Sequence, residues 1–259
     1  MILEARKLHY HYGRIKALEA DEIKLAPGVT AILGPNAAGK STLLRCLAGL
    51  LRPTGDILLN GQKLNRFSLK EMARLVAYLP QNVVSGAALT VFETVLLGRV
   101  HHLRWHVSPD DLQVVRQLLE EFEITHLGSR YISELSGGQA QIVFIAQVLA
   151  RDSRVLLLDE PNANLDLQHQ FEIGARIRAL AVERQLTVAM SLHDINLAAR
   201  LTDYVYVLKE GHVLCHGPSN EILNAELLAD VYNINAHLAR DAQGRLSIAP
   251  LGLYGSRDM

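Results

Sequence analysis

Short apolar runs alternate along this chain with longer segments whose apolar residues recur at helical spacing. Residues 29–33 form a short run of mainly apolar and β-branched residues, and 155–158 are continuously apolar, which is typical of strands buried on both faces. Residues 167–183 place apolar side chains three and four positions apart, which predicts a helix. Strands that alternate with helices predict an α/β fold with a mostly parallel sheet.

The same pattern gives the remaining elements. Strands are predicted over 2–10, 56–59, 75–79, 186–192, 204–208 and 212–215, and helices over 41–51, 137–151 and 195–201. Between residues 81 and 135 the strand-like runs disappear, and 109–122 has helical periodicity. We interpret this stretch as a helical insertion.

Composition narrows the class of protein without indicating its chemistry. The 259 residues carry 26 basic and 27 acidic side chains, a net charge of −1, so a broad nucleic-acid-binding face is not implied. No apolar run approaches the ~18 residues of a membrane span, and no signal peptide is visible. Cys46 and Cys215 lie far apart without metal-like spacing, which favours two free thiols in a reducing cytosol.

A phosphate-binding loop is predicted where the strand 29–33 meets the following helix. Residues 34–41 fit the pattern G-x-x-x-x-G-K-[ST], in the strand–loop–helix context that this pattern requires. Backbone N–H groups of such a loop point at phosphate oxygens, Lys40 reaches the β- and γ-phosphates, and the Ser41 hydroxyl contacts Mg²⁺. The candidate residues are Gly34, Pro35, Asn36, Ala37, Ala38, Gly39, Lys40, Ser41 and Thr42.

A pair of acids ends the buried strand 155–158. Asp159 and Glu160 stand at the carboxyl end of this strand, the edge where α/β sheets bind ligands. We expect Asp159 to hold Mg²⁺ and Glu160 to act as general base for an attacking water. Many strands end in an acid, so this signal gains its weight from the phosphate loop.

The motif Leu135-Ser136-Gly137-Gly138-Gln139 matches the signature of ATP-binding-cassette (ABC) ATPases. Hydroxyl and glycine N–H donors at a helix start suit an anionic phosphate. Taken alone, the five residues are equally well explained as a capped helix start. Between a phosphate loop and a strand that ends in Asp-Glu, they identify the chain as resembling this family. Ser136, Gly137, Gly138 and Gln139 are therefore candidate nucleotide contacts.

Further motifs follow in the order of the family. Tyr12 resembles the aromatic residue that stacks on adenine, and Gln81 resembles the glutamine that senses Mg²⁺ and the γ-phosphate. Asp166 lies in a segment that resembles the D-loop at the dimer interface. His193 resembles the switch histidine that contacts the γ-phosphate. An isolated tyrosine or histidine at such a place is commonly structural, and only the series of motifs favours these roles.

Several positions depart from the family pattern. Ala37 stands where glycine is usual, and we expect little harm provided that its φ is negative. Ala140, Gln147 and Asn162 also replace the usual residues. These three touch the signature helix and the dimer interface, so they put dimer strength and turnover rate in doubt.

The resemblance implies a P-loop NTPase core with a mostly parallel sheet, an N-terminal antiparallel β region and a helical subdomain insertion. It implies one domain over 1–259. Residues 1–81 and 140–232 would form the nucleotide-binding core, 82–139 the helical subdomain with the signature motif, and 233–259 a short C-terminal tail. It also implies ATP and Mg²⁺ as cofactors, with Ser41, Gln81 and Asp159 at the metal, and Glu160, His193 and Gln81 in catalysis.

A finer resemblance is to the cassettes of importers for metal chelates such as iron–siderophore, haem or cobalamin, with molybdate, zinc and manganese importers related. It rests on residues 94–99, 166–170, 193–199 and 240–244. It implies a homodimeric ATPase at the cytoplasmic face of the inner membrane, bound to permease subunits and indirectly to a substrate-binding protein, without nucleic acid. The alternative is a soluble ABC ATPase that serves in assembly or regulation, for example of iron–sulfur clusters. We interpret His101, His102 and His106 as a solvated face, because carboxylate or cysteine partners are lacking.

Overall fold

The computed structural model describes residues 1–81, 88–100, 106–242 and 244–255. The strands are β1 (Leu3–Tyr12), β2 (Ile15–Leu25), β3 (Gly28–Leu33), β4 (Thr54–Leu59), β5 (Gln62–Lys63), β6 (Val76–Leu79), β7 (Val155–Asp159), β8 (Thr187–Ser191), β9 (Tyr204–Lys209), β10 (His212–Pro218), β11 (Ile234–Arg240) and β12 (Leu246–Leu253). The helices are α1 (Lys40–Leu47), α2 (Leu69–Leu75), α3 (Val91–Leu97), α4 (Pro109–Glu121), α5 (Gly137–Ala150), α6 (Leu167–Glu183), α7 (Ile195–Leu201), α8 (Ser219–Ile222) and α9 (Ala225–Tyr232).

Ten of these strands form one mixed sheet in the order β5-β4-β1-β2-β10-β9-β3-β8-β7-β6. The half from β9 to β6 is parallel, and its central strands β7 and β8 are buried along their whole length. The half built from β1, β2, β4 and β5 is antiparallel. Strand β10 joins the two halves, pairing antiparallel with β9 and parallel with β2. The predicted fold class is confirmed.

Helices cover both faces of the parallel half. Along β7, Val155 and Leu157 point into the core beneath α1, whereas Leu156 and Leu158 point into the core that α5, α6 and α7 share. This alternation follows from the two-residue period of a strand, and it explains why β7 reads as a continuous apolar run. The carboxyl ends of the parallel strands are left free at one edge, where the loops of the site begin.

Helix α1 ends earlier than the sequence predicts. Residues 41–51 carry helical spacing, but the helix ends at Leu47, and Gly49 adopts a left-handed φ of 72°. A glycine in this conformation just after the last turn is a common helix terminator. The prediction followed the apolar spacing alone and therefore placed the end of the helix beyond Gly49, whereas the structure ends it at Leu47.

The expected C-terminal tail is folded. Strands β11 and β12 form an antiparallel hairpin that packs on α7 and α9. Leu246 and Ile248 of this hairpin are buried in the larger core. Over the described residues, no helix is both long enough and apolar enough to cross a bilayer.

Candidate nucleotide-binding site

The phosphate loop connects β3 to α1 at the carboxyl edge of the sheet. Gly34 needs to be glycine because a Cβ there would lie 2.2 Å from the carbonyl oxygen of Leu208. Ala37 adopts a left-handed φ of 62°. The expectation of a negative φ at Ala37 is therefore wrong. A left-handed backbone conformation costs a residue with a Cβ roughly 1–2 kcal/mol.

Lys40 is buried within this loop. Its Nζ donates to the carbonyl oxygens of Gly34, at 2.8 Å, and Pro35, at 2.9 Å. Burial lowers the pKa of Lys40, and the carboxylates of Glu160 and Asp159 oppose this change. The ammonium thus rests on carbonyls of the loop, within the electrostatic influence of both acids at the end of β7.

Asp159 is fully buried and accepts three hydrogen bonds. Its Oδ1 accepts from the hydroxyls of Ser41, at 3.0 Å, and Ser191, at 2.8 Å, and its Oδ2 accepts from the Tyr78 hydroxyl at 3.2 Å. Burial raises the pKa of Tyr78 to about 12, so this hydroxyl stays a donor at neutral pH. The structure thereby joins Ser41 and Asp159, two of the three predicted metal ligands.

The surroundings of Asp159 fit a divalent cation. All three donors are neutral, and among the ion pairs of the described residues none includes this carboxylate. A buried carboxylate without a direct counter-charge is costly. Carboxylate and hydroxyl oxygens are also the ligand types that Mg²⁺ prefers.

Glu160 gathers the predicted catalytic side chains around it. Its Oε1 lies 2.6 Å from Nε2 of His193, and its Oε2 accepts from Nε2 of Gln81 at 2.8 Å. Its backbone N–H donates to the Ser191 hydroxyl at 2.8 Å, and its φ is 51°. Such left-handed backbone in a residue other than glycine is frequently found at active sites.

The signature residues lie at the start of α5. Ser136 caps this helix and forms a reciprocal capping box with Gln139. Gly137 and Gly138 pack against Asn164, and a Cβ at Gly138 would lie 3.0 Å from the Asn164 carbonyl oxygen. Among the hydrogen bonds of the described residues, none joins residues 136–139 to the phosphate loop.

Asp166 and Tyr12 are also set apart from the cluster around Glu160. Asp166 caps α6, where its Oδ1 accepts from the backbone N–H of His169 at 2.9 Å, and this bond is the largest cause of its lowered pKa. Tyr12 lies edge-on to Tyr10 and leaves nearly half of its surface exposed. The pKa of Arg45 on α1 is raised mainly by its bond to Tyr78 and in smaller part by Tyr12. The other predicted loop residues follow the fold of the loop: Asn36 is exposed, and Ala38 and Thr42 are buried.

Three residues of the site were not predicted, namely Tyr78, Ser191 and Tyr232. Ser191 pairs in register with Asp159 across the parallel strands β7 and β8, so its position at a strand end was a usable signal. The Tyr232 hydroxyl accepts a hydrogen bond from the Gly34 N–H at 3.0 Å. No local pattern connects Tyr232 to a loop that lies almost two hundred residues earlier.

The histidine group lies mostly outside the described residues. His101 and His102 belong to the undescribed segment 101–105, and His106 is exposed. Within the described ranges, no group of three or more histidine, cysteine or acidic residues could hold a metal ion.

Comparison with known sequences gives concordant matches. The family model described as ABC transporter matches residues 20–163. The chain is 36% identical over 257 residues to the ferric enterobactin transport ATP-binding protein FepC of Escherichia coli (strain K12), covering 96% of this chain and 94% of that protein. It is 40% identical over 245 residues to the hemin import ATP-binding protein HmuV of Gloeobacter violaceus, covering 91% and 89%.

Solved structures agree with these matches. A chain of a metal-chelate type ABC transporter in an inward-facing conformation superposes with a TM-score of 0.81 at 28% identity, covering 96% of each chain. The ATP-binding cassette MJ0796, a dimer in a post-hydrolysis state bound to ADP and Pi, superposes with a TM-score of 0.75 at 27% identity. That match covers 84% of this chain and 98% of the other.

Proposed function

Since this chain belongs to the ABC transporter family of ATP-hydrolysing cassettes, we propose that it powers the import of a metal chelate in a prokaryote. The observation that carries the proposal is the arrangement at the ends of β7 and β8. There Glu160 contacts both Gln81 and His193, and its neighbour Asp159 contacts Ser41 of the phosphate loop. ATP hydrolysis needs these groups within reach of one γ-phosphate.

Each side chain has a role that follows from its chemistry. Lys40 leaves the loop carbonyls and binds the β- and γ-phosphates, to which the loop N–H groups also donate. Ser41, Asp159 and Gln81 would hold Mg²⁺, which when bound neutralises charge on the phosphate oxygens. Glu160 accepts the proton of the attacking water while His193 donates to the γ-phosphate, and the products are ADP and phosphate.

Replacing Glu160 by glutamine tests this assignment. The E160Q side chain keeps its size but cannot accept a proton, so turnover should fall by about 10²–10⁴-fold while ATP still binds. Steady-state ATPase assays and equilibrium nucleotide titration measure the two effects separately. E172Q, at an exposed position on α6, makes the same chemical change away from the site and should leave both quantities unchanged. Near-normal turnover of E160Q would assign the base to another group.

We further propose that two copies bury ATP between them. In that dimer Ser136, Gly137, Gly138, Gln139 and Asp166 meet the nucleotide held by the other copy. The exposed start of α5 supports this. Its first turn contains no acidic side chain, so no negative charge there opposes the binding of a phosphate to the helix N-terminus. The similar cassette MJ0796, which is dimeric with ADP and Pi, supports it as well.

The transport role rests on the named relatives. FepC is a ferric enterobactin transport ATP-binding protein, and HmuV is a hemin import ATP-binding protein. We therefore infer that the cargo is an iron–siderophore or haem. The chain would bind permease subunits at the cytoplasmic face of the membrane, through the proposed helical subdomain 82–139, and a substrate-binding protein only indirectly. The nucleotide core would comprise 1–81 and 140–232.

Reconstitution distinguishes import from the alternative assembly role. The chain, purified from membranes with its permease, should hydrolyse ATP faster when a binding protein loaded with ferric siderophore or hemin is added. The Q81A variant should bind ATP but lose this stimulation, because Gln81 directly precedes the proposed subdomain. Purification only with soluble partner proteins would favour the assembly role.

A further inference from the structure

Helix α9 reaches the phosphate loop through its last residue. The hydroxyl of Tyr232 accepts the backbone N–H of Gly34, the first residue of the loop, at 3.0 Å. Burial raises the pKa of Tyr232 to about 12, so the ring carries a neutral hydroxyl at any physiological pH. A residue near the end of the chain therefore satisfies a backbone donor at the start of the site.

The position of Tyr232 is fixed from several sides. Lys209, at the end of β9, donates from Nζ to the carbonyl oxygen of Asp230, at 2.9 Å, and to its Oδ1, at 2.7 Å. Leu228 of α9 is fully buried. Asn233 is the C-cap of this helix, and its carbonyl oxygen accepts the N–H of Tyr254 at 2.9 Å, which connects α9 to the end of the hairpin.

The hairpin is also hydrogen-bonded to α7, the helix that follows His193. Asn196 donates from Nδ2 to the carbonyl oxygen of Ile248, at 2.9 Å, and accepts the Ile248 N–H on Oδ1, at 2.8 Å. Asn196 lies in the first turn of α7, which begins two residues after His193. Residues 225–242 and 244–253, the C-terminal brace, thus contact the phosphate loop and the helix that follows His193.

The bond from Gly34 to Tyr232 gains importance when nucleotide binds. In this structure Lys40 holds the Gly34 carbonyl oxygen from inside the loop, while Tyr232 holds the Gly34 N–H from outside. Under the proposed function Lys40 turns to the phosphates and gives up that carbonyl. Tyr232 then remains as the side chain that holds Gly34 in place, so its loss should weaken the nucleotide-bound state more than the free state.

We propose that Tyr232 is a positioning residue for nucleotide, and that through it the C-terminal brace sets the affinity of the phosphate loop for ATP and ADP. The inference rests on the proposed binding of nucleotide by this loop. A neutral hydrogen bond contributes about 1 kcal/mol net. That value corresponds to about fivefold in affinity.

The test is Y232F, with Y206F as its matched control. Tyr206 is a buried tyrosine whose hydroxyl bonds the backbone N–H of Lys24, at 2.8 Å, and the Lys24 carbonyl oxygen, at 3.2 Å, away from the loop. We expect Y232F to raise the Kd for ADP and the KM for ATP about fivefold with kcat unchanged, and Y206F to change neither. We also expect faster amide hydrogen exchange at Gly34 in ADP-bound Y232F.

Four outcomes would each overturn either the positioning role or the proposed function. Unchanged Kd and KM in a folded Y232F, or an equal loss of affinity in Y206F, would overturn the positioning role. If Y232F does not fold, K209M loosens α9 at the surface and should raise the Kd for ADP in the same direction; an unchanged Kd would overturn the inference. K40A tests the proposed function itself, since nucleotide binding that survives K40A unchanged contradicts that function whatever Tyr232 does.

Discussion

At the scale of single residues, the site holds backbone conformations that its side chains do not favour. Ala37 and Glu160 have φ values of 62° and 51°, in the left-handed region where glycine is at ease. One lies in the phosphate loop and the other at the proposed general base. At Glu160 the carboxylate is needed, whereas at Ala37 the methyl group contributes no polar contact to the site.

Ala37 therefore offers a stabilising substitution. A37G removes the strain of a Cβ at positive φ, and we expect the free energy of unfolding to rise by about 0.5–1 kcal/mol with ATP affinity kept. Urea unfolding measures the change. The control is A175G, on an exposed face of α6, where glycine should lower stability by about 1 kcal/mol. A loss of stability in A37G would show that its φ is unstrained.

At the scale of elements, a buried ion pair links α4 to α5. Arg99 donates to Oδ1 of Asp111 on α4 at 3.0 Å and to the carbonyl oxygen of Ala150, the last residue of α5, also at 3.0 Å. Asp111 in addition forms the capping box of α4 with Ser108. The pair thus joins the start of one helix to the end of another.

Removing the charge of Asp111 should loosen this junction. D111N leaves the Arg99 guanidinium without its carboxylate, so the free energy of unfolding should fall by about 2–4 kcal/mol at pH 7. The exposed pair of Arg130 and Glu134 is the control, and R130A should cost less than about 1 kcal/mol.

The pH dependence of the same variant checks the cause. The hydroxyl of Ser108 and then Arg99 lower the pKa of Asp111 in the folded chain. A carboxyl group whose pKa is lowered in the folded chain stabilises the fold at any pH above its unfolded pKa of 3.8. This stabilisation is lost as the pH falls through the folded pKa. The difference between wild type and D111N should therefore stay constant from about pH 7 to 5 and narrow only below about pH 4. Narrowing already at pH 6 would point to another group.

The sequence predicted most of the site because its motifs sit where parallel strands end. Lys40 and His193 follow β3 and β8, and Asp159 is the last residue of β7. These three strands are neighbours in the sheet, so local patterns sufficed to bring the three residues to one edge. Tyr232 and the hairpin could not be predicted in this way. Their contacts with Gly34 and Asn196 depend on how distant segments pack, and no periodicity within either segment records that.

The N-terminal antiparallel region shows the same limit at another place. Strand β2 contains Asp21 and Glu22 side by side, both exposed, which interrupts the alternation expected of a half-buried strand. Pairing with β1 along most of its length fixes β2 as a strand nonetheless. Tertiary pairing here outweighs the local pattern.

At the scale of the whole molecule, the proposed dimer makes each site a joint property of two chains. The phosphate loop and the signature are joined by no hydrogen bond among the described residues of one chain, so the question is which copy supplies each half. S136R spoils the signature and K40A spoils the phosphate loop. A mixed dimer of the two variants keeps one intact pair of halves only if sites are shared.

Mixing the two variants decides the matter. We expect ATP to drive association of tagged S136R with untagged K40A, measured by pull-down, and neither variant to associate with itself under the same conditions. Restored ATPase activity in the mixture would add to this result. ATP-driven self-association of S136R alone, at the strength of the unmodified chain, would contradict sharing.

The carboxylate of Glu160 contacts two side chains that come from separate segments of the chain. Its two carboxylate oxygens contact different segments of the chain. One contacts Gln81, just after β6, and the other contacts His193, just after β8. His193 precedes α7, to which the C-terminal hairpin is hydrogen-bonded. A shift of either segment would therefore remove one of the two contacts of this carboxylate and change the direction in which it points. Under the proposed function, we therefore expect movements of these two segments to act on a single functional group, and hydrolysis to reach its full rate only when both contacts are in place.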